Sequence, residues 1–248
     1  MAIPIFYAPP ENRSGDKIAL SPAEAHHAVA VMRLKEGSRV MVVDGCGMAA
    51  RGEIIAATKS RVEIVSHADI RNFGEPSVRL TLAAGLSVGE KFDTVVEKGT
   101  ELGVRRFVPI ISEKSKVKLV EPAKAAARRT RLEKVALAAM KQCRRSYRPD
   151  IATPLTLRLF LDETDREDLN LAFLPVEKAQ SLDLLKAHAG VSRVNLLVGP
   201  ESGFSEEETD YILKAGFVPI SLGPRILRTE TAGPVVTALV MDRLGELK

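Results

Sequence analysis

The sequence predicts an α/β domain behind a smaller β-rich one, and three observations carry that expectation. From Val78 onward, apolar strand-like runs alternate with amphipathic helical segments, the pattern of a mostly parallel sheet covered by helices. Residues 1 to about 68 instead hold short β-branched or alternating runs around a single helix, which suits a small barrel. Between them, "DIRNFGEPS" is polar and carries Gly74 and Pro76, so it reads as a linker. A first domain over residues 1–70 and a second over 77–248 follow.

In "SPAEAHHAVAVMR", Ser21 is placed to cap a helix, Pro22 to occupy its first turn and Glu24 to close a capping box. "RVMVVD", "RGEIIAATK" and "RVEIVSHA" then read as strands separated by Gly, Lys or Ser turns. In the second domain, "VRLTLAAGL" is a buried strand, "GEKFDTVVEKGTELG" a helix stopped at Gly103 and "RRFVPIIS" the next strand. A long helix runs from about Pro122 to Ser146, with Leu132, Val135, Ala136, Ala139, Met140 and Cys143 on one face. "NLAFLPV", a helix begun by Ser181 and the strand "VNLLVG" come next. A helix opened by Ser205 with Glu208 as capping partner, "FVPISLG" and a final apolar helix complete the chain.

Composition narrows the function. Cys46 and Cys143 cannot build a disulfide framework and neither sits in a C-x-x-C pair, so a reducing compartment, the cytoplasm, is expected. No apolar run approaches bilayer length, and the first residues lack the pattern of a secretion signal. The four histidines show no metal-ligand spacing, so no metal is expected. Net charge is only +4, yet residues 114–148 hold twelve Lys or Arg against Glu121 and Glu133, a local +10 that leaves −6 for the rest. Clustered cations bind polyanions through counterion release, which makes a nucleic acid the leading partner; the alternative is a solvated helix face. Tyr147 is the one aromatic residue there, so base stacking gains nothing from it.

"GCGMAA" over residues 45–50 matches a relaxed dinucleotide fingerprint, but the next run alternates like a strand where that motif needs a helix. Stronger signals lie near the carboxyl terminus. Ligands in open α/β sheets sit where strands end. There "LLVGPESGFSEEE" leaves a strand through Gly199, Pro200, Glu201, Ser202 and Gly203, whose small residues let backbone groups approach a ligand. A second segment, "LGPRILRTETAG", turns at Gly223 and Pro224 and delivers Arg225, Arg228, Thr229, Glu230 and Thr231 to the start of the last helix. Free amides and a positive dipole end favour acceptors there. Either segment alone could be a turn and a helix cap.

"GPESGFSEEE" followed by "LGPRILRTETA" resembles the carboxyl-terminal signature of the RsmE family, bacterial 16S ribosomal RNA uridine-N3 methyltransferases of the SPOUT superfamily. "EKFDTVVEKGTELGV", "KQCRRSYRPDI" and "HHAVAVMRLKEG" are similar to other segments of that family, so the resemblance spans nearly the whole chain. It implies a PUA-like β-barrel for RNA and an α/β catalytic domain with a carboxyl-terminal trefoil knot, a topology that periodicity cannot reveal. It further implies S-adenosylmethionine as cofactor, held by Gly199, Pro200, Glu201 and Gly203 in one loop, Leu222, Gly223, Ile226 and Leu227 in another, and Leu174 and Pro175 nearby. The substrate implied is 16S ribosomal RNA or the small ribosomal subunit, with His27 and Arg33 as RNA contacts beside Arg128, Arg129, Arg144 and Arg145 of the basic stretch. A homodimer with the site near its subunit contact is also implied, without membrane association.

Arg228 is the candidate for stabilising the uridine anion or orienting RNA. Glu230 either assists proton removal, holds Arg228 in place or makes a structural ion pair at the helix start. Two departures from the family pattern stand out. Ser202 replaces a common glycine, and Gly233-Pro234 occurs where relatives carry helix formers, which predicts a last helix that begins at or just before Pro234 or kinks there. A non-catalytic RNA-binding assembly factor on the same scaffold, or the same chemistry on another RNA, are the alternative functions.

Overall fold

The computed structural model describes residues 3–87, 89–115, 121–188 and 190–247. They form two compact units, one of residues 1–75 with 137–148 and one of residues 76–136 with 149–248. Residues 137–148, placed by sequence order in the second domain, thus belong with the first unit.

In the first unit, β1 (Ile5–Tyr7), β2 (Arg13–Ser14), β3 (Lys17–Ala19), β4 (Arg39–Val43), β5 (Met48–Ala57) and β6 (Val62–Arg71) form a sheet in the order β1-β4-β5-β6-β3-β2. Only β1 and β4 pair in parallel. Inward residues such as Phe6, Ile18, Val42, Ile54 and Ile64 share a core with Ala25 and Ala28. These alanines come from α1 (Pro22–His26) and the π-helical turn His27–Val31 that continues it. Ser21 caps α1 by accepting the Glu24 N–H, but Glu24 does not return the bond. Its carboxylate instead accepts from the Tyr7 N–H at 3.3 Å and pairs with Lys141 at 2.5 Å. At the fingerprint-like turn, a Cβ on Gly47 would lie 2.3 Å from the Tyr147 ring. Its glycine therefore makes room for that ring, and β5, not a long helix, follows.

Arg145 corrects an expectation. Its guanidinium donates from Nε at 3.1 Å and from Nη2 at 2.8 Å to Glu75, and the two side chains are 3% and 4% exposed. The other Glu75 oxygen accepts the amides of Ser146 and Tyr147 at 2.8 Å each. A charge so enclosed and paired is structural, not a phosphate contact.

The second unit holds β7 (Arg79–Gly85), α2 (Lys91–Glu101), β8 (Arg106–Ile111), the first part of α3 (Pro122–Gln142), β9 (Asp150–Ile151), β10 (Leu155–Thr156) and α4 (Leu157–Glu163). β11 (Leu169–Phe173), β12 (Arg193–Val198), α5 (Glu206–Lys214), β13 (Val218–Ile220) and α6 (Thr229–Arg243) follow. Its strands lie in the order β10-β8-β7-β12-β11-β13, with β9 also on β8, and every pairing is parallel. Parallel strands buried on both faces need continuous apolar runs, and Leu80, Leu82, Leu171, Leu196 and Leu197 are all inaccessible. One such layer packs Leu82 and Leu196 with Val95 of α2 and Val236 of α6.

Four local outcomes differ from the sequence reading. The α3 helix stops at Gln142, because Arg144 takes a left-handed conformation, φ 65°. The stretch after Ser181 is a short 3₁₀ run, Leu182–Ala187. Residues 157–163, unassigned from sequence, form α4 behind an N-cap at Thr156. Finally, α6 begins at Thr229, five residues before Pro234, which lies inside the helix.

Candidate active site

The carboxyl ends of β11, β12 and β13 lie side by side, and a cavity of about 800 Å³ opens at them. This is the volume of a pocket for a drug-sized ligand. All ten residues that resemblance assigns to the cofactor line it: Leu174 and Pro175 after β11, Gly199, Pro200, Glu201 and Gly203 after β12, and Leu222, Gly223, Ile226 and Leu227 after β13.

Specific bonds hold the loops. Gly203 donates to the Pro200 carbonyl at 2.9 Å and has φ +68°, where a side chain would be strained. Gly223, at φ +91°, donates to Ser221 Oγ at 3.1 Å. Leu174 N–H bonds the Ile220 carbonyl at 3.1 Å, fixing the loop after β11 against β13. The buried Thr229 hydroxyl reaches the Gly199 carbonyl at 3.4 Å, so it ties the first loop to the start of α6 rather than capping the helix. Ser202 is accommodated because its hydroxyl donates to the Lys114 carbonyl at 2.7 Å.

The sequence reading missed Gly85, the last residue of β7. A Cβ there would lie 2.3 Å from the Pro200 nitrogen and 2.5 Å from its Cα. Backbone cannot yield as a flexible side chain would, so Gly85→Ala displaces the loop that forms one cavity wall. The expected result is at least a tenfold weaker cofactor affinity by calorimetry, since about 1.4 kcal/mol of misplacement suffices; unchanged affinity would refute this close approach.

Walls and mouth differ in character. Phe173, Leu174, Val198, Phe204 and Leu227 supply apolar surface, while Glu201, Asp210 and the backbone of the glycine turns supply polar groups. Ile226 is 92% exposed at the rim. Arg225 lines the cavity, whereas Arg228 stands outside its lining as the exposed N-cap of α6. Glu230, in the first turn of α6, does not hold Arg228 by an ion pair among the described residues: its Oε1 lies 3.8 Å from Lys91 Nζ, and its Oε2 is buried without a hydrogen-bond partner there. Lys91 also bonds Glu201, and that bond, foremost, raises the Lys91 pKa.

The remaining candidate residues divide. His27 and Arg33 are exposed in the first unit; the His27 ring meets Phe6 edge-on, and Arg33 is left-handed at φ 57°. Arg144 is exposed. Arg129 pairs with Glu133 at 2.9 Å on its own helix. Arg128 donates to the carbonyls of Ser87 and Gly89 at 2.9 and 3.1 Å, and burial, then neighbouring Arg131, lowers its pKa. Lys116 and Lys118 lie outside the described residues. Much of the basic stretch is therefore committed to the protein itself. Among the described residues no cluster of three His, Cys, Asp or Glu is placed for a metal, and no helix is long and apolar enough to cross a membrane.

The chain that carries this strand-end cavity matches known families over most of its length. Residues 74–241 match the model of the RNA methyltransferase domain family, and residues 20–65 match that of the RNA methyltransferase PUA domain. The chain belongs to the RNA methyltransferase family. This methyltransferase is 30% identical to the ribosomal RNA small subunit methyltransferase E of Bacillus subtilis, over 86% of its own length and 85% of that protein. It is also 30% identical to the same-named protein of Aquifex aeolicus, over 96% and 99% of the two chains. The crystal structure of ribosomal RNA small subunit methyltransferase E from Neisseria gonorrhoeae bound to S-adenosyl methionine superposes with a TM-score of 0.85, at 28% identity over 97% of this chain and 98% of that one.

Proposed function

We propose that this methyltransferase transfers the methyl group of S-adenosylmethionine to N3 of one uridine in 16S ribosomal RNA. The observation that carries the reading is the cavity between the turns at Gly203 and Gly223, with Arg228 and Glu230 at the adjoining helix start. The residues fit the cofactor. Apolar walls at Leu174, Val198 and Leu227 suit a purine, open glycine backbone suits its polar edge, and the carboxylates of Glu201 and Asp210 suit hydroxyls or an ammonium.

When bound, S-adenosylmethionine supplies a methyl group already activated by its sulfonium. The chain's own task is to align a nitrogen with it and make that nitrogen nucleophilic. Uracil N3 carries a proton and attacks poorly until it is lost. Arg228, exposed and with no side-chain bond among the described residues, can turn its guanidinium toward the uracil carbonyls and stabilise the anion as it forms. Glu230 Oε2, a buried acceptor without a donor among the described residues, suits the departing proton. The target base must leave any helical stack first.

The amino-terminal unit serves to hold RNA. Changing exposed Arg33 and Arg144 together to Ala weakens RNA affinity and lowers the slope of log K against log salt by about 1.4, roughly 0.7 for each phosphate contact to a single strand. An unchanged slope returns both to a solvated surface. The trefoil knot and a homodimer belong to this reading as well. Exposed Ile226 and Leu239 support a subunit contact near the cavity, and light scattering at the mass of a dimer tests it. A ribosomal RNA substrate places the reaction in the cytoplasm.

Titration with S-adenosylmethionine and S-adenosylhomocysteine tests the function. Saturable heat at one site per chain is expected. No heat with either would leave a non-catalytic RNA-binding assembly factor as the better account. Mass spectrometry of ribosomal RNA from cells lacking the protein should then show one uridine methyl group missing from the 16S molecule.

A further inference from the structure

Lys91 is the first residue of α2, a position where the helix dipole disfavours a cation. Its ammonium is compensated by carboxylates from two other elements, Glu201 in the loop after β12 and Glu230 in the first turn of α6. The start of α2 is itself braced by α3. Arg128 bonds the carbonyls of Ser87 and Gly89, and Arg131 pairs with Glu90 at 3.3 Å and with Asp93 at 2.8 Å. Lys91 thus projects from a fixed base.

The helix around Glu230 has less backbone support. Pro234 has no N–H to give the Glu230 carbonyl, so this turn lacks one rung of its ladder. Side-chain ties from Thr229 to Gly199 and from Lys91 to Glu230 remain to set its position. Among the described residues, the one ion pair of Glu230 is with Lys91 of α2, which also pairs with Glu201.

We propose that Lys91 is a positioning residue for methyl transfer: by clamping Glu201 and Glu230 Oε1 together, it holds the Glu230 carboxylate so that Oε2, without a hydrogen-bond partner among the described residues, is aimed at the uridine N3–H. The inference rests on the function proposed above. In the step it serves, the N3 proton passes to Glu230 and the N–H electron pair stays on nitrogen to form the new N–C bond. The pair of the broken C–S bond leaves with sulfur.

Two measurements test the clamp, and the first needs no activity. In crystals of the whole protein without ligand, Lys91→Met separates Glu230 Oε1 from Glu201 and displaces Oε2, while Lys91→Arg keeps both carboxylates in place. In the second, Lys91→Met lowers kcat by about tenfold or more, within the reach of a mispositioned general base, with little change in KM for S-adenosylmethionine. Lys91→Arg recovers most of that loss, while Glu201→Gln raises KM for S-adenosylmethionine. A Glu230 carboxylate unmoved in Lys91→Met overturns the proposal. So does an arginine variant as impaired as the methionine one, the outcome of a merely structural lysine. A displaced carboxylate in a protein that neither binds the cofactor nor transfers methyl would uphold the clamp and sink the proposed function instead.

Discussion

Arg228→Ala lowers kcat/KM for methyl transfer by about 10²-fold, on the scale of the loss produced when one donor to a developing anion is removed. Its affinity for S-adenosylmethionine changes little. The separation follows from place: Arg228 is exposed, only its backbone carbonyl takes part in hydrogen bonds among the described residues, and it stands outside the cavity lining. Removing it costs neither a wall nor a loop tie. Arg225, which does line the cavity, gives the contrasting result, weaker cofactor binding and a smaller effect on kcat. Calorimetry and single-turnover kinetics on both variants check the pair, and parallel loss of binding and turnover in Arg228→Ala would remove it from the chemistry.

The second large effect is on stability. Glu75→Ala destabilises the protein by about 3–5 kcal/mol, because it takes the paired carboxylate away from a buried guanidinium. It also leaves the amides of Ser146 and Tyr147 without their acceptor. Arg144→Ala, one residue away from the same cluster but exposed, costs less than about 1 kcal/mol. Denaturant unfolding followed by circular dichroism measures both, and a loss below about 1 kcal/mol for Glu75→Ala would mean that the pair is solvated in solution.

The contrast between these neighbouring arginines marks the limit of reading a charge run. Arg144 and Arg145 are equivalent in sequence. The left-handed turn at Arg144 and the carboxylate of Glu75, seventy residues earlier, decide which of them faces water. Strong local signals transferred well. The Ser205–Glu208 capping box closes in both directions, because it needs only four consecutive residues. The apolar runs of β7, β11 and β12 likewise report burial on two faces. At Ser21 the same pattern is only half made, since Glu24 finds Tyr7 and Lys141. Such partners are invisible in a local window.

At the site, the glycine turns could be found because positive φ and backbone exposure restrict residue type. Gly85 and Lys91 could not be found that way, since their roles depend on chain more than a hundred residues away. In Gly85 the signal was a glycine ending an otherwise apolar strand, and in Lys91 a lysine at a helix start. Both gain meaning only once the loop after β12 is in place. Pro234 misled about the start of α6 because a proline inside a helix costs one hydrogen bond, which the packing of Val236 and Val240 into the core outweighs.

The claim beneath the whole account is that the loops at 199–203 and 222–227 enclose the methyl donor with its transferable carbon facing Arg228 and Glu230. A crystal structure of the protein with S-adenosylmethionine measures this directly. The account predicts the purine between Leu174, Val198 and Leu227 and the sulfonium methyl open toward the start of α6; a cofactor bound elsewhere, or with its methyl turned away from that helix, would contradict it.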